Sequence, residues 1–227
     1  MRNKDKRTIA LSMIIGDGNL HIDKKGYARL SIDHGVQQKD YQEWKANLLS
    51  YALDRAVKTR SGHKGNSIQI QTTYNTFKAW YKFCYINNKK SIPKILRWID
   101  NPYFALAIWL MDDGYVEANG KSKYKDKVYD KVTSARLRIF TCDQNENEQL
   151  EIINWFKLHI GIEPKIAYQH NKKRNIKYPY LKIKQEDSLK IWDNIRDKVL
   201  SIPSMQYKFR HLEHVYQFKS LQYQMRS

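Results

Sequence analysis

The sequence predicts an α+β protein made of two pseudo-symmetric αββαββα units with antiparallel sheets, and three observations carry that reading. First, Ala10–Gly18 reads Ala-Leu-Ser-Met-Ile-Ile-Gly-Asp-Gly and Leu106–Gly114 reads Leu-Ala-Ile-Trp-Leu-Met-Asp-Asp-Gly, two apolar runs that each stop at Asp-Gly. Second, Ala28-Arg-Leu-Ser-Ile32 returns as Ala135-Arg-Leu-Arg-Ile139. Third, Ser91-Ile-Pro93 returns as Ser201-Ile-Pro203, and Phe77-Lys-Ala-Trp80 as Leu189-Lys-Ile-Trp192. Similar segments that return in one half after appearing in the other mark a duplicated unit. The halves divide as 1–98 and 99–227, joined around Arg97–Asn101, each short enough that burial against the other would stabilise both.

Each element follows from local pattern. The run up to Gly16 reads as a buried helix, as does Pro102–Asp112, where Asn101-Pro102 supplies the start signal. Gly114 fits the left-handed conformation common past a helix end. Tyr27–Asp33 alternates, placing Leu30 and Ile32 inward and Arg29, Ser31 and Asp33 outward. Asp40 to about Ala56 reads as a helix with Trp44, Leu48 and Leu49 on its apolar side. Val57–Arg60 and Ser67–Gln71 flank the turn Ser61–Asn66 as a hairpin, with Lys58, Arg60, Gln69 and Gln71 outward. A helix over Asn75–Tyr85 leads into Asn87–Pro93 as a connection. In the second half Tyr115–Lys131 reads as a polar loop, Asn145–His159 as a helix, and Lys165–His170 with Tyr178–Lys184 as a hairpin around the basic turn Asn171–Lys177. A last helix covers about His211–Gln224.

Composition bounds the function. Among 227 residues, 41 Lys+Arg against 23 Asp+Glu give a formal charge of +18. A field of that sign attracts polyanions, nucleic acid above all; a merely basic soluble protein is the bland alternative. No uninterrupted apolar run approaches 20 residues, which argues against a membrane partner. The basic arm Met1–Arg7 is followed by a stretch broken at Gly16 and Asp17, unlike a secretory signal. Cys84 and Cys142 lack metal-ligand spacing and fit a reducing interior. The expected location is intracellular: a mitochondrion if organelle-encoded, otherwise bacterial or phage cytoplasm. His211 and His214, without a third ligand, do not make a zinc site.

Ala10–Gly18 and Leu106–Gly114, with their matching flanks, the basic charge, Lys90-Ser-Ile-Pro93 and the Ile202-Pro203 that precedes Tyr207-Lys208, resemble the single-chain LAGLIDADG homing endonucleases. The resemblance covers nearly the whole chain and implies that the motif helices pair at the centre while the sheets form a DNA-binding saddle. It further implies a monomer that makes a metal-dependent double-strand break in a long asymmetric duplex, across the minor groove with short 3′ overhangs. Ser12 and Gly16 keep the small residues of a close helix pair, whereas Ile108 and Asp112 replace them in the second copy. The helix interface is therefore expected to be asymmetric, with something small opposite Ile108.

A carboxylate at the dry end of a buried helix is costly unless paired or bound to a cation. Phosphodiester hydrolysis gives it a use, because divalent ions activate water and offset charge on phosphorus. Mg²⁺, or Mn²⁺ in its place, needs only a few carboxylates. The resemblance assigns Asp17 and Asp113 to two or three such ions, one acid for each strand, with Gly16 and Asp112 lending backbone carbonyls. The Asp112 carboxylate itself is expected to matter less. The resemblance also places Lys90 and Lys208 as active-site lysines, with Lys89 as the rival of Lys90; a lysine there can polarise water or offset transition-state charge. Outward Arg29, Ser31, Lys58, Arg60, Gln69 and Gln71, then Arg136, Arg138, Lys182 and Lys184, suit base edges in a major groove. Lys172, Lys173 and Arg174 suit phosphates, which position without specifying. An intron-RNA maturase on the same scaffold, or a DNA-binding protein without cleavage, remains the alternative.

Overall fold

The computed structural model describes residues 3–62, 65–124 and 127–224, with side chains given except at 120–131 and 222–224. The first unit runs α1 (Lys4–Ile15), β1 (Asn19–Ile22), β2 (Ala28–Gly35), α2 (Lys39–Leu53), β3 (Thr59–Ser61), β4 (Ser67–Thr73), α3 (Phe77–Cys84), β5 (Tyr85–Ile86), β6 (Lys89–Lys90) and α4 (Ile92–Leu96). The second runs α5 (Pro102–Asp113), β7 (Gly114–Tyr124), β8 (Lys127–Phe140), α6 (Glu146–His159), β9 (Lys165–Asn171), β10 (Ile176–Lys182), α7 (Gln185–Leu200) and α8 (Pro203–Gln224). Two antiparallel four-stranded sheets share one topology, β1-β2-β4-β3 and β7-β8-β10-β9. The duplication read in the sequence is therefore present in the strand order.

The helices α1 and α5 pack against each other at the centre of one continuous core. Every residue from Ala105 to Met111 is buried, so α5 is apolar all round because it has no solvent face. Both helices begin at asparagine caps: Asn3 accepts from the Asp5 and Lys6 amides, and Asn101 from the Phe104 amide. Asn145 and Glu148 form a full capping box at α6.

Several expectations change. Gly114 is extended, with φ −83° and ψ 154°, and not left-handed. It is required for space, because a Cβ there would lie 2.7 Å from Leu110 Cα. Gly18 is in the same position relative to α1, with a Cβ 2.7 Å from the Met13 carbonyl carbon. The chain doubles back against its own helix at both sites. Tyr115–Lys131 is not a loop, since β7 and β8 pair from Gly114↔Ile139 to Tyr124↔Lys127 with an irregularity at Asn119/Lys121. Its Lys- and Tyr-rich sequence shows no clear polar/apolar alternation, which hides the strand. The Asn87–Pro93 connection is a hairpin plus helix α4; Asn87 and Asn88, at φ 49° and 63°, form the tight reversal of β5–β6. The last helix begins at Pro203, not near His211, because Pro at the first turn starts a helix. In α2 the buried stripe is Tyr41, Lys45, Leu49 and their neighbours, with Trp44 and Leu48 only half-buried.

Alanine at Gly18 or at Gly114 meets helix backbone that no rotamer can move aside. Each substitution is expected to destabilise the fold by about 1–3 kcal/mol, read as a shift in the midpoint of chemical denaturation.

Candidate active site

Pairing α1 with α5 brings Asp17 and Asp113 to the same end of the helix pair, where both line an open cleft of about 510 Å³ with Lys90, Cys142, Asp143 and Gln144. Burial, then the negative charge of Asp112, raises the carboxyl of Asp17 above its ordinary range. The same causes, in the same order and with Asp17 added, push Asp113 up to about 7. Among the described residues, neither carboxylate receives a hydrogen bond that would hold it ionised. They are groups with charge to offset.

Two lysines reach the carbonyls beside them. The β5–β6 hairpin aims Lys90, and its Nζ donates to the carbonyls of Gly16 (2.5 Å) and Ile15 (3.2 Å) and, at 3.4 Å, of Gly18. Lys89, its rival, is exposed and also lines the cleft, but only Lys90 reaches the helix-end carbonyls. Gln144 anchors the hairpin by donating to the Lys90 carbonyl at 2.9 Å and accepting the Ile92 amide at 2.9 Å. On the other side α8 carries Lys208, whose Nζ donates to the Met111 carbonyl and to that of Asp112 at 3.1 Å. Helix α8 is held on α7 by Phe209 stacked on Trp192 at 5.3 Å and by Glu213, which accepts from Trp192 Nε1 and Arg196. Desolvation lowers both lysine pKa values, with the nearby acids opposing it. Each ammonium thus sits on the final carbonyls of a motif helix, where the helix dipole is negative.

Asp112 departs from expectation. Its carboxylate is fully buried and fully used. Oδ1 accepts from Tyr41 Oη at 2.8 Å and Lys45 Nζ at 2.6 Å; Oδ2 accepts from Lys45 Nζ at 2.8 Å and the Asp17 amide at 3.0 Å. Burial alone would raise its pKa, but Lys45 and these hydrogen bonds prevail and hold it below the ordinary range. Lys45 also contacts His34 Nε2 at 3.0 Å. Desolvation and the lysine charge lower His34 to about 4, so the imidazole is neutral.

Lys45, His34 and Tyr41 were not legible as site residues from motif spacing. The available signal was a polar group on an apolar face: Lys45 in the α2 stripe, and His34 continuing the inward series Leu30, Ile32.

The sheets present the expected polar faces. Arg29 lies opposite Thr73, Ser31 opposite Gln71, and Gln69 between Asp33 and Arg60, all on one face. Lys58 is exposed just before β3. Gln69 donates to Asp33 at 2.7 Å. On the second sheet Arg136 lies opposite Glu117, and Arg138 opposite Tyr115 and Lys182. Arg138 is ion-paired to Glu117 and stacked 4.7 Å above Tyr180, with Lys182 3.8 Å from the same glutamate. Lys172 and Lys173 are exposed in the β9–β10 turn. Lys184 lies off the sheet, because β10 ends at Lys182 and Lys184 caps α7.

The donor set suits hard divalent cations. Two carboxylates with raised pKa values stand beside carbonyls, of Gly16 and Asp112, that already hold cationic groups. Asp17, His34 and Asp112 also place ligand atoms within 4.8 Å of one another, but the ammonium of Lys45 fills that position.

Comparison with known proteins agrees with this geometry. The homing endonuclease I-WcaI bound to its DNA recognition sequence superposes with a TM-score of 0.62 at 22% identity, over 91% of this chain and 86% of that one. The meganuclease I-AabMI bound to uncleaved DNA gives 0.53 at 12% identity over 94% and 91%. I-DmoI in complex with DNA and Mn gives 0.51 at 13% identity over 85% and 96%. At such identities these likenesses establish the fold. A 122-residue stretch is 30% identical to Protein RecA of Mycolicibacterium flavescens, covering 50% of this chain and 26% of that protein, so the chain spans about a quarter of that relative. Residues 7–191 match the LAGLIDADG DNA endonuclease family, and the chain belongs to it.

Proposed function

We propose that this protein is a site-specific homing endonuclease that acts as a monomer, making a divalent-metal-dependent double-strand break in a long asymmetric DNA target. The observation that carries the reading is the convergence of Asp17 and Asp113 on one cleft, beside carbonyls that already attract positive charge. Binding alone, to DNA or to intron RNA, needs no pair of half-buried acids with raised pKa values. Relatives whose structures contain bound DNA support duplex DNA as the partner.

In this reading Asp17 and Asp113 hold Mg²⁺ or Mn²⁺, with the carbonyls of Gly16 and Asp112 as further ligands. Such an ion supplies Lewis acidity toward the scissile phosphate and a more acidic water. Lys90 and Lys208 sit where an ammonium offsets charge developing on the phosphate oxygens. Both ammonium groups stand on the helix-end carbonyls, Lys90 on that of Gly16 and Lys208 on that of Asp112, beside the acids that would hold the ion. Arg29, Ser31, Lys58, Arg60, Gln69, Gln71, Arg136, Arg138 and Lys182 face the grooves, and Lys172 and Lys173 meet the backbone.

Three outcomes are expected. In a cleavage selection on a genomic or randomised DNA library with Mg²⁺, the parent cuts one long site. Asp17→Asn and Asp113→Asn each lose double-strand cutting by roughly a hundredfold or more, the scale of the several kcal/mol that a catalytic metal contributes. No cleavage with any divalent metal would remove the enzyme reading. Binding to the selected duplex is expected to weaken by roughly 10³-fold or more between 50 and 200 mM salt if six or more phosphates are neutralised; a flat salt dependence in a filter-binding titration would contradict the proposed saddle.

The third outcome concerns pH. Asp113 binds its proton more tightly folded than unfolded, with a pKa of about 7 against an ordinary value of 3.8. Between those values the folded state holds more protons, so this group costs stability as pH rises through that window. Mg²⁺ binds the ionised form and is expected to restore the loss. Thermal melts should show a larger Mg²⁺ stabilisation at pH 8 than at pH 5, and an equal gain at both would rule the acid out as a ligand.

A further inference from the structure

The two motif helices do not treat their acids alike. The residue before Asp113 is Asp112, while the residue before Asp17 is Gly16. A Cβ on Gly16 would lie 2.7 Å from Asp112 Cγ, so the carboxylate of one helix fills the space left by the missing side chain of the other. From there Asp112 Oδ2 accepts the Asp17 amide at 3.0 Å. Lys45, with no exposed side-chain surface, lies over the Tyr41 ring at 4.4 Å and bonds both carboxylate oxygens. Its Nζ is 3.0 Å from His34 Nε2, and His34 Nδ1 lies 3.1 Å from Gln38 and 3.6 Å from Asp17 Oδ2. One connected network therefore holds Asp17 at its backbone and faces its carboxylate.

Among the described residues Asp113 has no counterpart network. Helix α6, the equivalent of α2, buries Gln149, Ile152, Trp155 and Phe156 and no charge. Trp109 of α5 meets Phe156 there through apolar rings, 6.2 Å apart.

We propose that Asp112, Lys45 and His34 form a one-sided positioning network for Asp17, so that hydrolysis of one DNA strand depends on it and hydrolysis of the other does not. The inference rests on the nuclease reading above and on each acid serving one strand. A buried ion pair adds little net stability compared with apolar packing of the same volume, so its contribution here is orientation. Because Asp112 is bound to the Asp17 amide, it sets the direction in which the Asp17 side chain leaves the backbone. A misplacement near 1 Å at a reacting centre costs about 10²-fold in rate. These are positioning residues. The ammonium of Lys45 holds the space between Asp17, His34 and Asp112, so the network is not a third metal site.

The test is strand-resolved single-turnover cleavage of the selected duplex, each strand end-labelled, with Mg²⁺. Three variants are compared with the parent: Asp17→Asn, Tyr41→Phe, and the double variant Lys45→Met with Asp112→Asn. The double variant removes the ion pair without leaving one buried charge unpaired. It is expected to slow one strand roughly 10- to 100-fold more than the other, and the slowed strand is the one on which Asp17→Asn acts more strongly. Nicked duplex should accumulate.

Equal slowing of both strands, or slowing of the opposite strand, overturns the proposal. Circular dichroism reports whether the double variant folds. If it does not, Tyr41→Phe decides, since it removes one hydroxyl and one hydrogen bond. It should give a bias of about threefold or more toward the same strand, and no bias overturns the proposal. Asp17→Asn slowing both strands equally would remove the one-acid-one-strand premise and the inference with it, while leaving the nuclease intact. A parent that cuts neither strand would refute the nuclease reading itself.

Discussion

Two apolar helices packed along their length deliver their negative dipole ends and three aspartates, Asp17, Asp112 and Asp113, to one point. That concentration of negative charge is the constraint on which the rest of the structure depends. It is offset by three lysines from three elements: Lys45 from α2, Lys90 from the β5–β6 hairpin and Lys208 from α8. None of the three belongs to a motif helix, and two come from the first unit while one comes from the second. The site can form only when both halves are folded against each other. Asp40 of α2 accepting the Ser204 amide at the start of α8 is a further tie between the halves, as is Arg7 paired with Asp100.

Duplication gives near-symmetry in the sheets and breaks it at the centre. The strand orders are the same, but Gly16 faces Asp112, and only glycine leaves room for that carboxylate. Once a buried acid occupies the space, it must be compensated, and α2 supplies Tyr41 and Lys45 while α6 supplies aromatic packing. The expected asymmetry between the motif helices is present, though it is settled at Gly16 and Asp112. A similar difference runs through the outer faces. Gln69 bonds a neighbouring acid in the first sheet, whereas Arg138 and Lys182 converge on Glu117 in the second. A duplex contacting both sheets would meet two chemically different surfaces, as suits an asymmetric target.

How legible each feature was depends on how local its physics is. The motif helices, the alternation of Ala28–Asp33 and the caps at Asn101 and Asn145 are written in adjacent residues, and the structure follows them. Asp17 and Asp113 were legible because the pattern occurs twice. The β7–β8 pairing was not, since the Lys- and Tyr-rich stretch Tyr115–Lys131 carries no clear alternation in its sequence. Helix α4 is five residues long and has no periodicity to detect. The role of the Asp112 carboxylate was hidden for a different reason. Its partners Tyr41 and Lys45 are distant in sequence, and only the packing of α2 on the helix pair brings them within reach. A lysine within an apolar helical stripe signals a buried partner without naming it.

The same electrostatics relate the basic surface to the acidic centre. The +18 charge of the chain is spread over helices, strands and turns alike, while the cleft at the ends of the motif helices gathers carboxylates. A polyanion is therefore attracted to the molecule as a whole, while at the point where cleavage would occur three lysines set against three aspartates leave no excess of positive charge. Burial, and after it the charge of the neighbouring acids, raises the pKa values of Asp17 and Asp113 there. A phosphate placed there adds negative charge, and a divalent cation removes it. Cation and duplex should then each favour the binding of the other, a coupling that is reciprocal by thermodynamic necessity. On this reading Lys90 and Lys208, held on the carbonyls of Gly16 and Asp112, keep positive charge beside the place a scissile phosphate would occupy.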